Sequence, residues 1–190
     1  MESRVEQELV RKCQSGGSRF FEPLVRAYEA EAIRIARAML GDLDGARDAT
    51  QEAFVKAYKA LDTFDATRSF RPWFLQILRN QCRDALRSLK SRRKFELPET
   101  RTEVRTEAKS VTFDTEREHA RNEASALLNR GLSVLEEGTR DILIMKELED
   151  LSYQEIAVML RIPEGTVASR LYYARRALRE ALEAMGVRYP

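Results

Sequence analysis

The sequence predicts an all-α protein made of two small helical domains joined by a flexible linker. Only 8 glycines and 5 prolines occur among 190 residues, and no window alternates apolar and polar residues as a half-buried strand would. Helical apolar periodicity stops near residue 92, where Glu and Thr replace large apolar residues, and it resumes near residue 124. The predicted domains are therefore residues 1–92 and 124–186, with the linker over 93–123.

The first domain is predicted to hold four helices, over residues 5–13, 18–39, 44–62 and 70–91. The second of them is apolar on most turns and is expected to lie largely in the core. The third carries a stripe of small residues that lets another helix approach closely, formed by Ala46, Ala49, Ala53 and Ala57. The fourth has Pro72 in its first turn, where proline is tolerated.

The second domain begins with two predicted helices, around residues 126–135 and 142–148, which Gly138 is expected to separate. Ser152 and Glu155 then have the spacing of a capping box at the start of a short helix. Pro163 precedes a longer last helix. Two short helices joined by a tight turn are typical of a helix-turn-helix.

Composition excludes several classes of protein. The net charge is only +2 although 34% of the residues are charged, because charges of opposite sign are concentrated in different segments. Residues 65–94 carry nine basic side chains against Asp65 and Asp84, whereas residues 134–156 carry seven acidic side chains against two basic ones. Cys13, Cys82 and the single histidine, His119, are far apart, so we expect no metal site, cofactor or disulfide. The sequence shows no signal peptide and no membrane-spanning stretch, which predicts a cytoplasmic protein without membrane insertion.

The fourth predicted helix carries a candidate site for single-stranded or melted DNA. Arg79, Arg83 and Arg87 recur every four residues as a basic ridge that Lys90 and Lys94 continue. Aromatic residues next to it, Phe64 and Trp73 among them, are the kind on which unstacked bases lie. The alternative is that the aromatic side chains belong to the helical core, which we weigh about equally for Trp73.

The third predicted helix carries a candidate docking surface for a protein. Its polar positions Asp48, Gln51 and Glu52 lie beside three apolar or aromatic side chains. Those three are Phe54, Val55 and Tyr58. Exposed apolar groups ringed by charge are typical of a protein interface, and an ordinary solvated face is an equal alternative.

The last predicted helix has the two faces of a recognition helix. A buried stripe is predicted at Val167, Leu171, Ala174, Leu178 and Leu182. An outward polar face is predicted at Thr166, Ser169, Arg170, Tyr173 and Arg176. Arginine pairs with guanine edges and hydroxyl groups hold phosphates, which favours major-groove reading over a helical hairpin with a solvated arginine face.

Three motifs in this order carry a resemblance to a known family. They are ARDATQEAFVKAYKALDTF, SFRPWFLQILRNQCRDALR and ELEDLSYQEIAVMLRIPEGTVASRLYYARRAL. Together they resemble the extracytoplasmic-function (ECF, group IV) sigma factors of the sigma-70 family. The resemblance implies a sigma-2 helical bundle in the first domain and a sigma-4 helix-turn-helix in the second.

The resemblance also implies roles for particular residues. It places Asp48, Gln51, Glu52 and Phe54 on the helix that docks on the largest subunit of RNA polymerase, and we assign the neighbouring Val55 and Tyr58 to the same surface. The predicted minus-ten contacts are Phe64, Arg68, Arg71, Trp73, Asn80, Arg83, Asp84 and Arg87. The predicted minus-thirty-five contacts are Glu164, Thr166, Ser169, Arg170, Tyr173 and Arg176.

The leading hypothesis is therefore an alternative sigma factor that directs core RNA polymerase to specific promoters and promotes their melting, without catalysis of its own. The implied partners are the beta and beta-prime subunits of the polymerase, promoter DNA and an anti-sigma factor. The alternative is a stand-alone helix-turn-helix regulator, which has no use for a docking helix next to a basic ridge. An enzyme is disfavoured, since the sequence has one histidine and no Gly-rich phosphate loop.

Overall fold

The computed structural model describes the backbone of residues 3–95 and 115–187, and the side chains of residues 4–89, 91 and 123–187. The chain divides into two compact units. All the regular elements in the described residues are helical, which confirms the predicted fold class. Most of the predicted linker, residues 96–114, lies outside the described residues.

The first unit contains four α-helices. They are α1 (Ser3–Gln14), α2 (Phe21–Leu40), α3 (Leu43–Ala60) and α4 (Phe70–Phe95). Single 3₁₀ turns over Ser18–Phe20 and Leu61–Thr63 precede α2 and follow α3. The four predicted helices are confirmed, with ends that differ by a few residues.

Local chemistry explains the tight connection between α2 and α3. Gly41 ends α2: its N–H donates to the carbonyl of Arg37, and its φ is 89°. Glycine adopts this left-handed conformation at a lower free-energy cost than other residues. Asp42 then accepts a hydrogen bond from the N–H of Gly45 at 2.6 Å and caps α3. The two helices therefore form a close hairpin.

The core of the first unit lies between α2, α3 and α4. The predicted alanine stripe is confirmed, because Ala46, Ala49, Ala53 and Ala57 are all buried. Aromatic rings fill the space that these small side chains leave, with Phe54 stacked on Phe74 at a centroid distance of 4.3 Å. Arg79 is 2% exposed. Its predicted place in the surface ridge is therefore wrong, because the helix turns this position toward the core.

The second unit contains α5 (Thr115–Ser133), α6 (Glu137–Leu143), α7 (Tyr153–Leu160) and α8 (Glu164–Ala184). A π-helical turn over Ile144–Leu148 extends α6. The prediction that Gly138 separates two helices is wrong, because Gly138 lies in the first turn of α6. The break falls just before it, where Glu136 adopts a ψ of 145°.

The predicted capping box of the second unit is confirmed. The hydroxyl of Ser152 accepts from the N–H of Glu155, and the carboxylate of Glu155 accepts from the N–H of Ser152 at 2.8 Å. The stripe of α8 is largely as predicted: Val167, Leu171, Ala174 and Leu182 are buried, while Leu178 is half-buried. Within the described residues, no helix is long and apolar enough to cross a membrane.

Candidate nucleic-acid and polymerase interfaces

The outer face of α4 forms a polar stripe that starts at a half-buried tryptophan. Trp73 lies in the first turn of the helix, and Asn80, Asp84 and Arg87 are exposed further along it. Arg83 donates to the Oδ1 of Asn80 at 3.3 Å, and Arg87 donates to the Oδ1 of Asp84 at 3.2 Å. Each arginine is thus held beside a short polar side chain. We call this the α4 stripe.

Sequence reasoning missed Gln76, which is exposed between Trp73 and Asn80 on the same helix. Its spacing of three residues from Trp73 and four from Asn80 puts all three side chains on one face. That spacing was readable in the sequence, but the search for a basic ridge passed over an uncharged amide. The side chains of Lys90 and Lys94, which were predicted to continue the ridge, lie outside the described residues.

Two predicted minus-ten residues are placed differently from the expectation. Phe64 is 7% exposed, and its ring lies 4.5 Å from that of Trp73 and packs edge-on against Phe70. Arg71 is half-buried and forms a bidentate ion pair with Glu31, with Nη2 to Oε1 at 2.5 Å. In this conformation Phe64 supports Trp73 from beneath, and Arg71 ties α4 to α2.

The loop between the Leu61–Thr63 turn and α4 is a compact polar turn beside Trp73. The Oδ1 of Asp65 accepts from the N–H and the hydroxyl of Thr67, at 2.9 and 2.6 Å. These hydrogen bonds lower the pKa of Asp65. Arg68 is exposed at the end of the turn, so a basic side chain and an aromatic edge lie at the same end of the α4 stripe.

The predicted docking surface on α3 borders an apolar groove. Asp48, Gln51 and Glu52 are exposed, and Val55 and Tyr58 are 40% and 45% exposed. Next to them a groove of about 530 Å³ runs between α2 and α3. Phe54 is buried and forms part of the groove floor, rather than an outward contact.

Sequence reasoning placed this surface on α3 alone and missed the contribution of α2. Phe21, Val25, Glu29 and Ile33 line the groove from that side. They recur every four residues, as a second stripe beside the core stripe of α2, and that pattern was the available signal. The buried hydroxyl of Thr50 also lines the groove and has no hydrogen-bond partner. A partner in the groove therefore meets mostly apolar side chains, together with the unsatisfied hydroxyl of Thr50 and polar side chains such as Glu29 and Arg47.

Helix α8 presents the predicted polar face. Ser169, Arg170, Tyr173 and Arg176 are exposed, as is Glu164 at the start of the helix, and Thr166 is half-buried. The hydroxyl of Ser169 donates to the carbonyl of Thr166 at 3.0 Å. Arg176 pairs with Glu180 at 2.8 Å, and the hydrogen bond to this carboxylate raises the pKa of Arg176. Arg170 is the basic side chain near the middle of the face.

These features define a class of protein. The chain couples a helical bundle with a polar recognition stripe and an apolar groove to a separate helix-turn-helix, as a DNA-binding transcription initiation factor requires. Two family models match it in the same order: sigma-70 region 2 over residues 24–92 and sigma-70 region 4 over residues 125–178.

Curated relatives match over nearly the whole chain. The RNA polymerase sigma-H factor of Pseudomonas aeruginosa is 32% identical over 184 residues, which cover 95% of each chain. The ECF RNA polymerase sigma factor SigW of Bacillus subtilis is 30% identical over 91% of this chain and 94% of its own. The chain therefore belongs to the ECF group of the sigma-70 family, and it is an alternative RNA polymerase sigma factor for promoter-specific transcription initiation.

Solved structures share the fold. CnrH, in complex with the cytosolic domain of CnrY, is similar with a TM-score of 0.65 at 24% identity, over 95% of this chain and 98% of that one. The sigma factor RpoE of Bartonella quintana, in complex with the anti-sigma factor NepR, has a TM-score of 0.64 at 22% identity. That match covers 86% of this chain and 96% of that chain.

Proposed function

We propose that the two domains divide promoter recognition between melted and duplex DNA. In this division the first domain, residues 1–92, binds the polymerase and reads the minus-ten element, and the second, residues 124–186, reads the minus-thirty-five element. Residues 93–123 join the two. The observation that carries the proposal is the α4 stripe, which places Trp73, Asn80 and Arg87 along one exposed helix face next to the polar turn.

The dimensions of the α4 stripe suit a short single strand. From Trp73 to Arg87 the helix rises about 21 Å, at about 1.5 Å per residue. A strand with the roughly 3.4 Å spacing of duplex DNA would place about six nucleotides along the stripe, and a more extended strand with unstacked bases would place fewer. Trp73 offers an aromatic edge for an unstacked base, while Asn80, Arg83, Asp84 and Arg87 offer hydrogen-bond donors and acceptors. Arg68 and Gln76 lie next to the α4 stripe and are available to the same strand.

The groove between α2 and α3 supports polymerase docking. Its apolar walls are bordered by the exposed Asp48, Gln51 and Glu52, and apolar centres with polar rims are typical of specific protein interfaces. We assign it to the clamp helices of the beta-prime subunit. An anti-sigma factor that covers the same groove is a second proposed partner. The Bartonella RpoE was solved in complex with the anti-sigma factor NepR, and CnrH with the cytosolic domain of CnrY.

The helix-turn-helix supports duplex reading. Glu164, Thr166, Ser169, Arg170, Tyr173 and Arg176 are the proposed contacts. Arg170 and Arg176 are suited to guanine edges or phosphates, and the hydroxyl groups to phosphate oxygens. We also propose that the protein acts in the cytoplasm and has no catalytic activity of its own.

Binding to core RNA polymerase without DNA, followed by run-off transcription on template fragments that carry candidate promoters, tests these assignments. We expect Glu52→Arg to reduce binding to core polymerase at least tenfold before DNA is added, because it reverses a charge on the docking surface. The matched control is Glu183→Arg, which reverses an exposed charge in the second domain. Equal polymerase binding by the two variants would contradict the assignment of the docking surface to α3.

Arg87→Ala separates DNA melting from polymerase binding. We expect this variant to bind core polymerase normally and to form open complexes about tenfold more slowly, because loss of one base or phosphate contact costs about 1–3 kcal/mol. Arg26→Ala is the control, since it loses only an exposed ion pair with Glu22. A variant that loses polymerase binding instead would contradict the placement of melted DNA on α4.

A further inference from the structure

Helix α1 contacts the segment that connects α3 to α4. The side chain of Gln14 donates from Nε2 to two backbone carbonyls, those of Leu61 at 2.9 Å and Phe64 at 2.7 Å. Gln7 donates in the same way to the carbonyl of Thr67 at 3.0 Å. Two amides on one face of α1 thus bind three carbonyls along the connecting segment.

A buried carboxylate on α1 completes this set of contacts. Glu6 is 3% exposed and accepts hydrogen bonds from the N–H of Phe70 at 2.7 Å and the hydroxyl of Ser69 at 3.2 Å. The hydroxyl of Tyr28 donates to its other oxygen. A carboxylate at this place satisfies an N–H group at the start of α4, where negative charge is favourable.

The connecting segment is anchored by the buried side chains of Leu61 and Phe64 and by two short turns of its own. The turn at Asp65 fixes Thr67 and Arg68, and a further hydrogen bond joins Phe64 to Leu61. The side chains of α1 add hydrogen bonds to the backbone of this segment at Leu61, Phe64, Thr67 and Phe70, across 47 to 64 residues of sequence. Removal of these donors would leave backbone carbonyls to water, and the loop would then sample other conformations.

We propose that α1 is a positioning element for base recognition, in which Gln7 and Gln14 hold the Leu61–Phe70 segment in the shape that reads an unpaired minus-ten base. The proposal rests on the proposed role of this loop in minus-ten recognition. The sigma-70 region 2 model matches from residue 24, so α1 lies outside that match. Pre-organisation removes the free-energy cost of ordering a binding loop. A loop held in one shape also cannot adapt to a wrong base, so loss of these hydrogen bonds is expected to lower base discrimination.

The test measures base preference rather than total activity. Holoenzyme is assembled from core RNA polymerase and the full-length chain, and transcribes templates in which the minus-ten element is randomised. The double variant Gln7→Ala/Gln14→Ala is compared with the wild type and with Arg11→Ala, which changes an exposed position of α1. We expect the double variant to lose at least fivefold in base preference at the most selective minus-ten position and to bind core polymerase normally.

Base preference separates positioning from folding. A smaller fraction of folded protein lowers transcription of all templates equally and leaves the ratio between templates unchanged. If the double variant does not fold at the assay temperature, the single variant Gln7→Ala decides, because its hydrogen bond is at the surface. For this variant we expect at least a twofold loss of preference.

The base-preference measurement distinguishes failure of the α1 proposal from failure of the proposed minus-ten role of the loop. If the wild type discriminates strongly among minus-ten bases and the folded variants retain that preference, the positioning role of α1 is wrong while the proposed function stands. If the wild-type holoenzyme shows no preference at any minus-ten base, the proposed minus-ten role of the loop is itself wrong, and the role of α1 falls with it.

Discussion

The two regions that we propose to read DNA are held in shape by different kinds of contact. In the second domain the helix-turn-helix is fixed by near neighbours: Ser152 and Glu155 cap α7, and the N–H of Ile162 donates to the carbonyl of Ala157. In the first domain the loop before α4 depends on Gln14 and Glu6, which are distant in the sequence. A local motif therefore fixes the helix-turn-helix, whereas hydrogen bonds between residues distant in the sequence fix the loop before α4.

The arginines of the two regions also differ in how they are paired. On α4, Arg83 and Arg87 interact with Asn80 and Asp84 within the stripe. On α8, Arg175 bonds to Glu147 of the π-helical turn, and this hydrogen bond raises the pKa of Arg175. Exposed pairs of this kind contribute little to stability. In the proposed function, DNA would therefore replace the acidic partners of Arg87 and Arg176 at small cost, whereas loss of the Arg175 pair would also remove a contact between two elements of the second domain.

The largest expected effect comes from the buried carboxylate of the long-range network. Glu6→Ala should lower the free energy of unfolding of the first domain by about 3 kcal/mol, because the N–H of Phe70 and the hydroxyl of Tyr28 lose their buried acceptor. The single tryptophan, Trp73, belongs to this domain. Its fluorescence during urea denaturation therefore measures the change.

Glu8→Ala is the matched control, since Glu8 is an exposed carboxylate of α1 paired with Lys12. It should leave the Trp73 transition nearly unchanged. Hydrogen exchange in residues 137–184 should also be the same in both variants, because that segment belongs to the other unit. Equal transitions for Glu6→Ala and Glu8→Ala would show that the network does not hold the first domain together.

A smaller effect is expected from the local motif of the second domain. Ser152→Ala removes the hydroxyl of the capping box and should destabilise the helix-turn-helix by about 1 kcal/mol. Hydrogen exchange in α7 measures the change, and Trp73 fluorescence should not respond. Ser169→Ala, at an exposed site within α8, is the control. A shift of the Trp73 transition in Ser152→Ala would contradict the independence of the two regions.

The same contrast explains what the sequence could predict. The capping box, the alanine stripe and the two faces of α8 follow from spacings of three or four residues, and the structure confirms them. The burial of Phe64 and the loop contacts of Gln14 depend on which elements pack together, which no local spacing encodes. The burial of Arg79 agrees with its spacing of four residues from Leu75 and three from Cys82, both buried, which the basic periodicity concealed. The groove is an intermediate case, because the α3 surface was predicted and the second stripe of α2 was present in the sequence, but the packing of the two side by side was not predictable.

The smallest expected effect concerns backbone strain in the second domain. Asp150 follows the π-helical turn with a φ of 57°, a conformation that costs a side-chain-bearing residue about 1 kcal/mol relative to glycine. Its side chain is exposed, and its nearest ion-pair distance, to Lys146, is 3.9 Å. Asp150→Gly should therefore stabilise the second domain by about 0.5 kcal/mol, the remainder being lost to the greater freedom of glycine in the unfolded chain.

Asp150→Ala is the matched control for this prediction, since it removes the same carboxylate but keeps the Cβ. It should be no more stable than the wild type, so the difference between the two variants measures the strain itself. Hydrogen exchange in α6 and α7 gives that difference. If alanine stabilises the domain as much as glycine does, the carboxylate rather than the backbone is the cause, and the turn before the helix-turn-helix is not strained.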